Sequence, residues 1–396
     1  VARVAGDFHD CEKTMTAPPK VLVVFGTRPE AIKMAPVVSA LRHSGILEHR
    51  ICVTSQHAQM LESVLDIFNI RPDYNLHIMR PGQDLASLSA RLLDGFKELF
   101  AQWRPDLVLV HGDTTSAFIA ALSSFYLGIP VGHVEAGLRT HDRRAPFPEE
   151  INRRFIDQMS DLHFAPTRAA ADALLAERVS HTSIHLTGNT IVDAVMAITL
   201  RPKKPAPAAH ATSAPAGRFI LVTGHRRENF GEGFESICEA LKDIAVAHPE
   251  TRIVYPVHLN PNVQEPVRRV LGAVPNITLT EPLDYITFLD LMTRCAFLIS
   301  DSGGVQEEAC VLKKPVLLMR EKTERPEAVT AGFVKLVGTD RERIVAEAGK
   351  LLLDQALYDS MITGDNPYGD GMAAEKIVRI IEQFASQTDS SAHHEP

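Results

Sequence analysis

At 396 residues the chain exceeds what one hydrophobic core usually supports, so two domains are expected, and its 45% hydrophobic and 23% charged residues suit an ordinary globular protein. A formal net charge of -8, from 41 Lys and Arg against 49 Asp and Glu, disfavours a chain-wide surface for nucleic acid or anionic membrane. No apolar run approaches the roughly eighteen residues of a membrane span, and the cysteines (Cys11, Cys52, Cys238, Cys295, Cys310) lack CxxC spacing, which argues for a reducing cytoplasm over a disulfide framework or zinc ribbon.

Residues 1–19 show no periodicity, and Met15 followed by Thr-Ala-Pro-Pro reads as an internal start, so the fold is expected to begin near residue 20 after a disordered extension. An apolar run over 21–25 ends in Gly26-Thr27-Arg28, and Pro29 opens a helix whose apolar positions keep a 3.6-residue period to Leu41. A strand over 50–54 and helices over 59–68 and 85–102 follow. A strand over 107–111 then ends in Gly112-Asp113-Thr114-Thr115 before a helix over 116–127. The run 131–134 leads into Glu135-Ala136-Gly137, and Pro148 precedes Glu149 in the first turn of a further helix. Such alternation with short connections predicts a parallel sheet covered on both faces.

The Pro-, Ala- and Ser-rich stretch 201–217 reads as an exposed connection, after which the alternation restarts. Strands over 219–222, 253–257 and 297–299 run into Thr223-Gly224-His225-Arg226-Arg227-Glu228, His258-Leu259-Asn260 and Ser300-Asp301-Ser302-Gly303-Gly304. The expected architecture is α/β, with two Rossmann-like domains and a cleft between them. The first spans 20–188 plus a returning segment 372–388 and carries the carboxylates. The second spans 189–371, and 389–396 form a disordered tail.

In open parallel sheets the carboxyl ends of the strands face the ligand crevice, and this chain repeatedly places polar side chains there. Ser302-Gly303-Gly304 leaves bare N–H groups at a helix start, which suits either a phosphate cradle or an ordinary cap. Glu308, about one turn into that helix, can accept ribose hydroxyls or be a solvated carboxylate. Arg28 and Lys33 flank the first turn of the first helix, where a cation opposes the dipole unless an anion is bound, although a surface place suits Lys33 equally. Arg325 adds another cation.

Taken singly, Asp113 can cap the helix after it and Glu149 can pair with Arg153 at i,i+4. Three carboxylates, Asp113, Glu135 and Glu149, converging beside His225 suit proton transfer better. Gly369-Asp-Gly-Met-Ala-Ala374 matches a dinucleotide pattern, but no strand precedes it, so it reads as a turn and helix cap. His181 and His185 share i,i+4 spacing but precede a strand-like segment, which argues against a zinc pair, and no other cluster has metal spacing; no metal and no cofactor are expected.

Longer strings carry a resemblance. Val24-Phe-Gly-Thr-Arg-Pro-Glu-Ala-Ile-Lys-Met-Ala-Pro36, His111-Gly-Asp-Thr-Thr115, Gly132-His-Val-Glu-Ala-Gly-Leu-Arg-Thr140 and Pro148-Glu-Glu150 resemble the non-hydrolysing UDP-N-acetylglucosamine 2-epimerase family. So do Val222-Thr-Gly-His-Arg-Arg-Glu228, Tyr255-Pro-Val-His-Leu-Asn-Pro-Asn262, Asp301-Ser-Gly-Gly304, Glu324-Arg-Pro-Glu327 and Asn366-Pro-Tyr-Gly-Asp-Gly371. The likeness extends from about residue 20 to about 385, nearly the whole folded chain.

The resemblance implies a GT-B-like fold with UDP held mainly by the second domain. It implies reversible conversion of UDP-GlcNAc to UDP-ManNAc by anti elimination of UDP and re-addition through a 2-acetamidoglucal. It also implies a cytoplasmic homodimer supplying ManNAc-type precursors for cell-surface polysaccharide, without nucleic-acid or membrane partners. By motif position, Asp113, Glu135 and Glu149 become acid/base groups and His225 a phosphate and leaving-group contact. Arg28, Lys33, Ser302, Gly303, Gly304, Glu308 and Arg325 become nucleotide-sugar contacts, with Phe288 beside the uracil; Leu283 stands where relatives can carry Gln.

Some relatives have a second, activating UDP-GlcNAc site. Gln56, Gln59, Glu149, Arg226 and His258 match positions in it, while Pro81-Gly82-Gln83 departs from the more basic segment found there. Three other readings remain. A GT-B glycosyltransferase leaves three motif carboxylates without a role. Hydrolysing 2-epimerases tend to differ just after Gly-Thr-Arg, where this chain has Pro29-Glu30-Ala31-Ile32-Lys33. A nucleotide-sugar sensor would tolerate loss of the carboxylates, and here all are present.

Overall fold

The computed structural model describes residues 17–54, 58–80, 82–200 and 217–392. Met15, Gln56, residues 201–216 of the expected connection and residues 393–396 of the expected tail lie outside them. The first sheet contains β1 (Lys20–Phe25), β2 (Glu48–Val53), β3 (Tyr74–Asn75), β4 (Leu107–His111), β5 (Val131–Val134), β6 (Leu162–Ala165) and β7 (Ile184–Leu186) in the order β3-β2-β1-β4-β5-β6-β7. The second contains β8 (Phe219–Thr223), β9 (Arg252–Pro256), β10 (Ile277–Thr280), β11 (Phe297–Ser300), β12 (Val316–Leu318) and β13 (Val334–Leu336) in the order β10-β9-β8-β11-β12-β13.

Every strand pairing among the described residues is parallel. Helices cover both faces, which is why β1, β4 and β5 are nearly continuous apolar runs with no alternation. The short strands β3, β6, β7, β10 and β13 have two to four residues each, too few for a periodic signal. Each sheet reverses its winding once, between β1 and β4 and between β8 and β11, and a crevice opens at such a reversal.

Two helices tie the sheets together. The helix Thr190–Thr199 shares one core with the helix Arg28–His43 of the first sheet and with Leu289, Met292 and Cys310 of the second. Its Asp193 carboxylate accepts the N–H groups of Ala374 at 2.8 Å and Ala373 at 3.3 Å, capping the last helix, Ala373–Ala392. The Gly369–Ala374 segment is thus a turn and a cap. That helix packs Ile377, Val378 and Ile381 into the same core and continues through 389–392, which the polar composition had placed in a disordered tail. Once its apolar face is docked, each further residue adds a hydrogen bond at little entropic cost.

Candidate active site

The carboxyl ends of both sheets face one cleft of about 790 Å3, and both winding reversals open into it. The second sheet contributes a helix N-terminus. Ser302 is the N-cap of the helix Gly303–Val311, and its side chain makes no capping bond. A Cβ at Gly304 would meet nothing within 4 Å, whereas one at Gly303 would lie 2.7 Å from Arg325 Nη1. The first-turn N–H groups therefore open on the cleft with a guanidinium beside them, the geometry that binds phosphate.

The neighbouring loop after β8 is held by Asp301, whose Oδ2 accepts the backbone N–H groups of His225 and Arg226, both at 2.8 Å. The His225 ring stacks on His258 at 5.4 Å, and burial holds it below its ordinary value, so it enters the cleft neutral near pH 7. Further along, Glu308 accepts from Tyr285 Oη at 2.9 Å, and burial pushes its carboxyl up to about 7. Phe288 and Leu283 line the same cleft.

The first sheet supplies the three carboxylates. Asp113 follows β4 after Gly112, whose φ of +64° is a conformation that side chains rarely adopt. Its Oδ2 is hydrogen-bonded by Arg153 Nη2, yet burial raises the carboxyl above its ordinary value. Glu149 opens the helix Glu149–Met159 and is likewise raised by burial. The alternative pairing with Arg153 is not formed: Arg153 reaches Asp113 and, at 3.5 Å, Glu150.

Glu135, which follows β5 at φ 68°, is different. Burial alone would raise it, but the Lys33 ammonium bonded to it, with His111 and Arg325 nearby, holds it well below the usual carboxylate range. Lys33 is 5% exposed, which rules out the surface reading, and its Nζ also lies 2.8 Å from Glu307 of the second sheet. Arg325 Nε donates to Glu307 at 2.6 Å and its Nη1 to Glu324 at 2.6 Å. Charges thus alternate from Glu135 through Lys33, Glu307 and Arg325 to Glu324, crossing from one sheet to the other. Among the described residues no three His, Cys, Asp or Glu side chains gather as a metal site.

Asp113, Glu135, Glu149, His225, Arg28, Lys33, Phe288, Ser302, Gly303, Gly304, Glu308 and Arg325, all singled out from sequence, line this one cleft. Arg226 and His258 line it as well, and Gln59 falls within the helix Ala58–Ile67. Reasoning from sequence passed over Glu307, Tyr285 and His111. His111, the last residue of β4, is 4% exposed in the cleft wall with no hydrogen bond to either ring nitrogen, and burial pushes it down to about 3. A polar residue closing an all-apolar strand was the available signal. Glu307 had a similar one, being a second carboxylate on a helix with little polar face.

A family model described as UDP-N-acetylglucosamine 2-epimerase matches residues 39–382. The UDP-N-acetylglucosamine 2-epimerase of Escherichia coli O157:H7 is 52% identical over 371 residues, covering 92% of this chain and 98% of the relative. The crystal structure of UDP-GlcNAc 2-epimerase from Neisseria meningitidis bound to UDP-GlcNAc aligns with a TM-score of 0.87 at 44% identity, over 92% of this chain and 100% of that one. That of the Methanocaldococcus jannaschii UDP-GlcNAc 2-epimerase in complex with UDP-GlcNAc and UDP gives 0.80 at 33% identity, over 92% and 99%. With two parallel sheets in a GT-B-like pairing and these likenesses along most of its length, the chain is an enzyme of the UDP-N-acetylglucosamine 2-epimerase family.

Proposed function

We propose that the chain interconverts UDP-GlcNAc and UDP-ManNAc by anti elimination of UDP across C1 and C2, followed by re-addition through a 2-acetamidoglucal. One observation carries this reading: a bare helix N-terminus and three carboxylates face each other across a single cleft. The C2 hydrogen is not acidic by itself, so positive charge must first build at C1 as the diphosphate leaves. The Ser302 to Gly304 helix start, Arg28 and His225 stabilise the departing charge. Glu135, held ionised, faces the positive ring. Asp113 and Glu149, whose carboxyls burial raises above their ordinary values, take and return the proton, one from each face of C2. Lys33 acts by holding Glu135.

On this reading residues 20–188 with 372–388 form the acid/base domain and 189–371 the UDP-binding domain. Exposed Phe125, Tyr126, Leu127 and Phe155 on the first domain suit the face of a homodimer. Arg226 and His258 at the cleft suit a second, activating UDP-GlcNAc. The product serves as a ManNAc-type precursor for cell-surface polysaccharide, made in the cytoplasm; among the described residues no helix is long and apolar enough to cross a membrane.

Incubation with UDP-GlcNAc in D2O, without cofactor or metal, should give UDP-ManNAc carrying deuterium at C2, with traces of UDP and the glucal at long times. Original hydrogen retained at C2, or strict dependence on NAD, would overturn the elimination route. A glycosyltransferase would leave C2 untouched, and a hydrolysing enzyme would release free ManNAc.

Glu308 offers a second check. If its carboxylate accepts ribose hydroxyls in ground and transition states alike, Glu308→Gln should raise KM by roughly tenfold to a hundredfold and leave kcat nearly intact. Wild-type affinity should improve as pH rises through about 7, where the carboxyl ionises, and the variant should lose that dependence. Titration calorimetry with UDP at pH 6 and 8 reads this out, and a pH-independent wild type would remove Glu308 from the ribose.

A further inference from the structure

His133 is fully buried inside β5, two residues before Glu135, and does not line the cleft. Its Nδ1 lies 2.6 Å from Asp157 Oδ1 and its Nε2 2.7 Å from the carbonyl oxygen of Gly112. A carbonyl oxygen only accepts, so Nε2 must carry a proton. Asp157 is held below its ordinary value, against its burial, by His133 and by Arg139, whose Nη2 donates to the other oxygen at 2.7 Å. It too accepts. A neutral imidazole has one N–H and would leave a nitrogen lone pair facing an oxygen at hydrogen-bond distance.

We propose that His133 is a doubly protonated clamp: donating from both ring nitrogens, it fixes the Gly112-Asp113 turn and so positions the Asp113 carboxylate for proton transfer. The surrounding charges agree. Arg139 donates to Glu177 from Nε at 3.0 Å and Nη2 at 2.9 Å, so two buried or half-buried anions, Asp157 and Glu177, meet Arg139 and His133. Arg154 approaches Glu177 at 3.2 Å from the outside. From β6, His163 Nε2 contacts the Asp157 backbone oxygen at 2.7 Å, and from β4, His111 is kept neutral by burial. The turn is also held by Gly112 N–H on the Val134 carbonyl at 3.0 Å and by Asn152 Nδ2 on the Asp113 carbonyl at 2.9 Å. His133 adds a charged hold, and a charge-assisted bond is the stronger kind. It is a positioning residue, since it touches no reacting atom.

The kinetic arm of the test rests on the proposed epimerisation; the spectroscopic arm does not. Nitrogen-15 NMR of the ring-labelled wild-type protein at pH 7.5, with His133 assigned against His133→Gln, should show protons on both of its ring nitrogens. A bare nitrogen would overturn the proposal whatever the enzyme's activity. His133→Phe keeps an aromatic ring and removes both donors; with UDP-GlcNAc its kcat should fall by about ten- to a hundredfold. KM and calorimetric UDP affinity should stay near wild type, because the phosphate-binding helix belongs to the other sheet. Unchanged kcat, or UDP affinity falling in step with kcat, would also overturn it. A wild type that does not turn over UDP-GlcNAc would sink the functional reading alone, and the ring protonation would still be decided.

Discussion

Asp113→Asn should lower kcat by about 10²- to 10⁴-fold, the usual share of a positioned acid or base, with KM changed by about threefold or less. Asparagine keeps the volume and an acceptor for Arg153, which anchors this side chain from the helix Glu149–Met159. What is lost is the ability to hold and release a proton, an ability favoured here because burial raises the carboxyl above its ordinary value. Steady-state turnover of UDP-GlcNAc gives the answer, with the urea midpoint monitored to exclude unfolding. The pattern opposes that expected for Glu308→Gln. An intact kcat in Asp113→Asn would remove this residue from the chemistry.

Lys33→Met should destabilise the protein by about 3–5 kcal/mol, the usual cost of stripping one partner from a buried ion pair. Glu135 is 9% and Glu307 1% exposed at the side chain, so neither can recover its lost partner from water, although Arg325 still serves Glu307. The sign of the pH dependence follows from the pair. Glu135 is depressed, so its contribution is present above its ordinary 4.5 and is lost as pH falls through the depressed value. Lys33 is raised above 10.5, since Glu135 and Glu307 outweigh its desolvation; its contribution is complete below 10.5 and lost as pH rises through the folded value. Urea unfolding from pH 2 to 7 should therefore show a steep acid loss in the wild type and a flatter curve in the variant. Catalysis should also suffer, because without Lys33 burial drives Glu135 toward its protonated form. A variant with wild-type stability and the same acid slope would mean that Lys33 is not what holds Glu135 ionised.

Both results depend on pairings that span great distances along the chain, and this marks what could be read locally. Runs such as Leu107–His111 and Val131–Val134 identify themselves, because a strand buried on both faces must be apolar throughout, and a polar residue at its end marks the crevice side. The positions of Asp113, Glu135 and the Ser302 to Gly304 turn follow from that rule, as does the doubly wound class, whereas Glu149 is marked by Pro148 at the start of a helix. The long family strings then mark the cleft-lining loops more sharply than periodicity does.

Only the tertiary structure decided what each charge meets. Lys33 and Glu135 stand 102 residues apart, and nothing in either neighbourhood states that they are partners. The same holds for Lys33 with Glu307, Arg153 with Asp113, and His133 between Asp157 and Gly112. Secondary structure is written in short-range periodicity because it is made by near neighbours. The protonation state of a buried group depends on desolvation and on charges within a few ångströms, and those neighbours exist only once elements distant in sequence have packed.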